Sequence, residues 1–129
     1  MKSHPQIITR IIEAIRAART ICIVGHMRPD GDCAGSQLGL MLALRAEGKK
    51  VVCWNQDSVP QKYKFLDPAG DIQKPRPGQK FDLIIATDCA NFERLGAVGK
   101  YVAKRKLLIN IDHHESNTRY GDLNWVSAR

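Results

Sequence analysis

Two hydrophobic periods alternate along this chain. Ile7, Ile8, Ile11, Ile12 and Ile15 recur at helical spacing behind Pro5, a residue tolerated in a first turn, and predict a helix over about residues 5–18. The apolar run Thr20-Ile21-Cys22-Ile23-Val24-Gly25 reads as a strand. Residues 34–47 read as a second helix, with Leu38, Met41, Leu42 and Ala46 on one side and Gly48 as its stop. Val51-Val52-Cys53-Trp54 is the next strand. Pro60, Pro68, Pro75 and Pro77 punctuate residues 55–80, which predict irregular chain with a short helical turn around Tyr63-Lys64-Phe65-Leu66. Strands follow at 81–87 and 107–111, separated by a helix around 92–104 that must accommodate Gly96 and Gly99. Leu123-Asn124-Trp125-Val126 predicts a last short strand at an edge. Strands alternating with helices predict an α/β fold: a doubly wound, mainly parallel sheet with flanking helices.

Three of these strands end in metal-ligand chemistry. The first leads into His26-Met27-Arg28-Pro29-Asp30-Gly31-Asp32, the 81–87 run delivers Asp88, and the 107–111 run delivers Asp112-His113-His114. In an open parallel sheet the carboxyl ends of strands share one edge, so these groups can converge on one crevice. Taken singly, each has a plain structural reading: Asp88 as a helix cap, Asp30-Gly31 as a turn, His113 and His114 as hydrogen-bonded histidines. Taken together they give Asp30, Asp32, Asp88 and Asp112 in one place. Two unit charges about 4 Å apart repel by roughly 4 kcal/mol at an effective dielectric of 20, so such a group calls for a cation. His26 and His113 supply nitrogen ligands for one or two divalent ions. Paired ions can activate water and neutralise a phosphoryl transition state.

Length and composition narrow the class. A chain of 129 residues, 43% hydrophobic and 26% charged, predicts one ordinary globular domain. No run approaches the roughly 20 apolar residues of a membrane span, and the N-terminal segment is broken by Arg10, Glu13 and Arg16, so no membrane and a cytoplasmic location are expected. Cys22, Cys33, Cys53 and Cys89 form no Cys-x-x-Cys pair and no disulfide framework is expected. Cys33 and Cys89 lie beside the acidic motifs, which raises a zinc–thiolate site, but the carboxylate majority suits Mn²⁺ or Mg²⁺ better. A net charge of +7, with clusters at Lys49-Lys50 and Lys104-Arg105-Lys106, favours phosphate-rich ligands including short nucleic acids, although either cluster alone reads as a solvated face.

Over nearly its whole length the chain resembles the DHH phosphoesterase superfamily. The resemblance rests on Gly25-His26-Met27-Arg28-Pro29-Asp30-Gly31-Asp32, Thr87-Asp88-Cys89 and Asn110-Ile111-Asp112-His113-His114. The extension Cys33-Ala34-Gly35-Ser36 looks most like the RecJ-like branch that hydrolyses very short oligonucleotides and 3′-phosphoadenosine 5′-phosphate. That resemblance implies two Mn²⁺ ions, with Mg²⁺ as a substitute. His26, Asp30 and Asp88 would bind one ion; Asp32, Asp88 and His113 would bind the other, with Asp88 bridging. His114 would contact the scissile phosphate, Asp112 would support the histidines, and Arg28 is a positional candidate for phosphate contact. The implied reaction is hydrolysis of a phosphodiester or phosphomonoester by metal-activated water, on short single-stranded RNA or DNA or a nucleoside phosphate, as an oligoribonuclease or exonuclease.

Two departures qualify these expectations. The family completes its second metal site with an aspartate well downstream of the triplet, whereas only Glu115 and Asp122 follow it here, neither at a matching position. The C-terminal substrate-binding domain of the family has no counterpart, so residues 1–129 are expected to be a single N-terminal domain. Whether the chain is a fragment or a natural truncation, apolar surface left open by the missing part would favour a homodimer. The alternatives are a catalytically incomplete module that binds a metal and a nucleotide without turnover, and an inorganic pyrophosphatase.

Overall fold

Thr20–Val24, Leu83–Thr87 and Leu108–Asp112 are short runs buried on both faces, and strands with no polar face must be covered above and below. The computed structural model describes residues 4–127, so the ends of the expected domain, 1–3 and 128–129, lie outside the described residues. Six strands, β1 (Thr20–Val24), β2 (Lys50–Trp54), β3 (Ile72–Gln73), β4 (Leu83–Thr87), β5 (Leu108–Asp112) and β6 (Leu123–Val126), form one sheet in the order β3-β2-β1-β4-β5-β6. Every neighbouring pair is parallel. The chain winds outward from β1 to β3, returns beside β1 as β4, then winds outward the other way. The order therefore reverses between β1 and β4, where Val24 lies opposite Ala86. Open α/β sheets place their ligands at such a switch point, outside the carboxyl ends of the strands.

Side-chain alternation sends each strand's residues to two cores. On one face Ile21, Ile23, Leu83, Ile85 and Ile109 pack beneath α1 (His4–Ala17) and α2 (Gly31–Ala46). Ile11 supplies the buried centre of the α1 stripe, flanked by the partly buried Ile7 and Ile15. On the other face Cys22, Val24, Ile84, Ala86 and Leu108 meet Leu95, Val98 and Val102. Helices on both faces make the sheet doubly wound, as its pattern predicts.

The differences from the pattern are local. Helix α2 begins at Gly31 rather than residue 34, because the Asp30 carboxylate accepts the amide of Cys33 and caps the helix. Asp32 thus stands in the first helical turn, not on a loop. Within α2 the buried side comprises Ala34, Gln37, Leu38, Met41 and Leu44, while Leu42 is 63% exposed. The helix expected over 92–104 is broken: a 3-10 turn at Phe92–Leu95 stops at Gly96, whose φ of 61° no continuing helix allows, and α3 covers only Val98–Val102. β3 is a two-residue edge strand too short for a hydrophobic period to register.

Candidate metal centre

β1, β4 and β5 are adjacent in the sheet, and their last residues bring three loops to one edge. His26 follows β1, Asp88 follows β4, and Asp112, the last residue of β5, leads directly into His113 and His114. Asp88 has a φ of 56°, a left-handed conformation that Asp tolerates better than most residues. Its amide is held by the carbonyl of Ile111 at 3.1 Å. The switch point itself is latched: the amide of Met27 donates to the carbonyl of Arg94 at 2.7 Å, tying the loop after β1 to the one after β4.

Asp88 is the hub. It is buried, with Oδ1 2.7 Å from His113 Nε2 and Oδ2 3.6 Å from His26 Nε2. His26 Nε2 also stands 3.9 Å from Asp30 Oδ1, and His113 Nε2 3.7 Å from Asp32 Oδ2. His26, Asp30 and Asp88 thus form one group of converging donors; Asp88, Asp112, His113 and His114 form a second that shares Asp88. All of the expected ligands, His26, Asp30, Asp32, Asp88 and His113, are brought together.

The rings are held in ligand-ready orientations. Nδ1 of His26 donates to the carbonyl of Met27 at 2.7 Å, which turns Nε2 toward the carboxylates. Asp112 is buried and already occupied: Oδ1 accepts from the His113 amide at 2.8 Å and from His114 Nδ1 at 2.7 Å, and Oδ2 accepts from Asn117 at 2.8 Å. It orients the two histidines. Asn117 also bonds Asn110 and the carbonyl of Cys89, so it stitches the β5 loop to the β4 loop. No spacing in the sequence pointed to this asparagine.

Charge and proton equilibria agree with the geometry. The Asp88 carboxylate 3.6 Å away, helped by Cys33 and opposed by burial, pushes His26 up to about 10. His113 is raised, chiefly by its bond to the same carboxylate. Burial alone would raise Asp88, but the His26 ring beside it and the hydrogen bond from His113 outweigh it and hold its carboxyl below 3.8. The site therefore favours positive charge between these side chains, whether proton or cation. Three carboxylates with two imidazoles, one ring fixed through its far nitrogen, fit Mn²⁺ or Mg²⁺. Cys33 and Cys89 are fully buried, burial lifts the Cys89 thiol to about 11, and neither belongs to the two donor groups, so the donors are not those of a zinc–thiolate site.

Two hollows flank Asp88. One, of about 330 Å³, is polar and is lined by His26, Asp30, Asp32 and His114 together with Asn91, Arg94 and Ser116. The other, of about 440 Å³, lies toward α2 and β6, where Leu40, Ile111 and Trp125 give it apolar walls. Arg94 escaped the motif reading because it sits six residues past Asp88 in a segment expected to be plain helix. Arg28, the positional candidate for phosphate contact, lines neither hollow; its amide donates to Asp57 at 2.8 Å, and its φ is 54°. Of the acidic residues after the triplet, Asp122 lies at the opposite edge, where it accepts the amide of Leu108, and Glu115 joins neither donor group.

Fold and donors define a class: a parallel α/β domain with an acidic, histidine-bearing cation centre at its switch point. The chain belongs to the DHH family, since the profile of the DHH family N-terminal domain matches residues 20–128. It is 35% identical over 127 residues to the bifunctional oligoribonuclease and PAP phosphatase NrnA of Thermus thermophilus, covering 94% of this chain and 35% of that protein. The bifunctional oligoribonuclease and PAP phosphatase NrnA of Bacillus subtilis is 33% identical over 120 residues, covering 93% of this chain and 37% of that one. Among solved structures, an exopolyphosphatase-related protein from Bacteroides fragilis superposes with a TM-score of 0.86 at 26% identity, covering 95% of this chain and 38% of that one. The chain thus spans just over a third of the length of the curated relatives it matches. Among the described residues no helix is long and apolar enough to cross a membrane.

Proposed function

We propose that this chain is the metal-binding portion of a phosphoesterase that hydrolyses short oligonucleotides or nucleoside bisphosphates. The observation that carries the reading is Asp88, whose two carboxylate oxygens face donors from two different strand ends. On this reading His26, Asp30 and Asp88 hold one Mn²⁺ or Mg²⁺, and Asp32, Asp88 and His113 hold a second. Such a pair supplies water activation and neutralises charge on phosphoryl oxygens. The chain's own side chains do the positioning. Asp112 fixes His114 through Nδ1, leaving Nε2 without a partner among the described residues and available to a phosphate oxygen. Arg94, in the wall of the same hollow, offers a permanent cation to a phosphate oxygen that does not react.

The test is Mn²⁺-stimulated release of mononucleotides from the dinucleotide pApA, with pyrophosphate as the comparison substrate. Activity on pApA above an Asp88→Ala control is the expected result. No difference at saturating Mn²⁺ removes the reading for this chain, and preference for pyrophosphate reassigns the substrate.

One observation favours a second reading, a module that binds a metal and a nucleotide without turnover. Neither Glu115 nor Asp122 reaches the donor groups, so the second ion has only Asp32, Asp88 and His113 to hold it. Calorimetry showing two tight Mn²⁺ sites, together with measurable hydrolysis, excludes it.

A further inference from the structure

β4 and β5 enter the sheet side by side, and the segments that lead into them meet at the edge opposite the cation centre. There Gly78–Phe81, Lys104–Lys106 and Tyr101 of α3 line a hollow of about 380 Å³. Four of its lining residues, Lys80, Lys104, Arg105 and Lys106, are cationic, and none is acidic. Like charges around one hollow repel unless something neutralises them. The nearest carboxylates are already engaged with backbone. Asp82 Oδ2 accepts the amides of Arg19 and Thr20, and Asp122 Oδ2 accepts that of Leu108. Lys106 and Arg105 pair with them at long range, 4.0 Å to Asp82 and 3.7 Å to Asp122. Among the described residues Lys80 and Lys104 have no carboxylate partner.

The remaining wall includes two aromatic rings. Phe81 and Tyr101 each stand edge-on to Trp54, with ring centroids 5.1 and 6.2 Å away; Tyr101 is exposed, and Lys100 Nζ lies over its ring, 5.2 Å from the centroid, where an arriving base would displace it. Unneutralised ammonium groups beside an exposed ring are what proteins use to hold single strands: the amines track phosphates, and the ring accepts any base because every base has a π-face.

We propose that this hollow is a second nucleic-acid contact, seating the phosphates of single-stranded RNA or DNA on Lys80 and Lys104 and a base against Tyr101. It is separate from the cation centre. The five residues of β4 or β5 stand between the two, about 17 Å at roughly 3.3 Å per residue. The proposal does not depend on the chain being a phosphoesterase.

The experiment is fluorescence anisotropy of a labelled oligouridylate of about ten nucleotides, titrated with the 129-residue chain. Working in EDTA keeps cation-bridged binding at the carboxylate centre out of the signal. Replacing both lysines, Lys80→Ala with Lys104→Ala, is expected to weaken binding about tenfold at low salt. It should also flatten the dependence of log affinity on log salt by about 1.4, the effect of two phosphate contacts on a single strand. Tyr101→Ala is expected to weaken binding about fivefold or more with the salt slope unchanged. The replaced side chains are exposed, so melting temperatures near that of the parent show that the fold is intact. Unchanged affinity and slope in the double lysine variant overturn the site. If Tyr101→Ala binds as the parent does and tripolyphosphate displaces the strand charge for charge, the hollow is a general polyanion site and the nucleic-acid assignment falls.

Discussion

Asp88 Oδ1 lies 2.7 Å from His113 Nε2, joining two strand ends that are 25 residues apart in sequence. The other Asp88 oxygen faces His26, so one buried carboxylate serves rings from both sides of the switch point. Its left-handed backbone costs on the order of 1 kcal/mol and holds the side chain between the two rings. Asn tolerates that conformation equally well but carries no charge. Asp88→Asn is therefore expected to keep the fold and lose the response to cations. For the parent chain, Mn²⁺ at a hundred times its dissociation constant should add about 2.7 kcal/mol of stability. Thermal melts with and without Mn²⁺ read this directly; an equal Mn²⁺ shift in the variant would show that Asp88 is not a ligand.

Arg94 lines the polar hollow beside His26, Asp30 and His114, and its backbone is fixed by the Met27 amide and by the Asn91 side chain. A charge-assisted bond to phosphate contributes about 1.5–3 kcal/mol, so Arg94→Ala should lower kcat/KM on a dinucleotide roughly 10- to 100-fold. Arg94→Lys should recover only part of it, since an ammonium lacks the planar fork. Steady-state kinetics on both variants decide the matter. Parent-like values for Arg94→Ala place the phosphate elsewhere.

Gly25 separates β1 from His26 where no side chain fits. A Cβ there would stand 2.6 Å from each of Asn55 Oδ1, Cys33 Sγ and Gln37 Oε1. Those atoms belong to a buried network in which Gln37 and Asn55 exchange amide hydrogen bonds at 2.8 Å. Gly25→Ala should cost about 1–3 kcal/mol in urea unfolding and weaken Mn²⁺ binding, because relief of the clash shifts His26. A variant with unchanged unfolding midpoint and Mn²⁺ affinity would contradict this.

Acid should also act on stability at the opposite edge. The Arg19 and Thr20 amides hold the Asp82 carboxyl below its ordinary 3.8. Since the folded value is the lower one, this contribution is present above pH 3.8 and is lost as pH falls through the folded value. The stability gap between the parent and Asp82→Asn should therefore be full at neutral pH and close below pH 3.8. Urea midpoints over a pH series test it. A gap that stays constant with pH assigns the effect of the substitution to something other than ionisation.

The sheet was legible because its strands are buried on both faces and read as short apolar runs such as Ile21–Val24 and Leu83–Ala86. The candidate ligands were legible because each follows the end of such a run. What escaped notice was set by tertiary contact. Asp30 looked like a turn residue, yet its bond to the Cys33 amide starts α2 three residues early. Gly96 stops a helix whose composition would permit it, and Leu42 carries an apolar residue on a solvated side. Asn117 and Arg94 have no motif, since their roles come from loops that meet only after β4 pairs with β5 and with β1. Arg28 lay inside the richest motif, and proximity in sequence did not bring it to either hollow.

The latch between the Met27 amide and the Arg94 carbonyl spans the line where the two wings of the sheet meet. A chain with only the first wing assembled owns His26, Asp30 and Asp32; one with only the second owns Asp88 and His113. His26, Asp30 and Asp88 meet only across that line, so a cation held among those three certifies that both wings have closed.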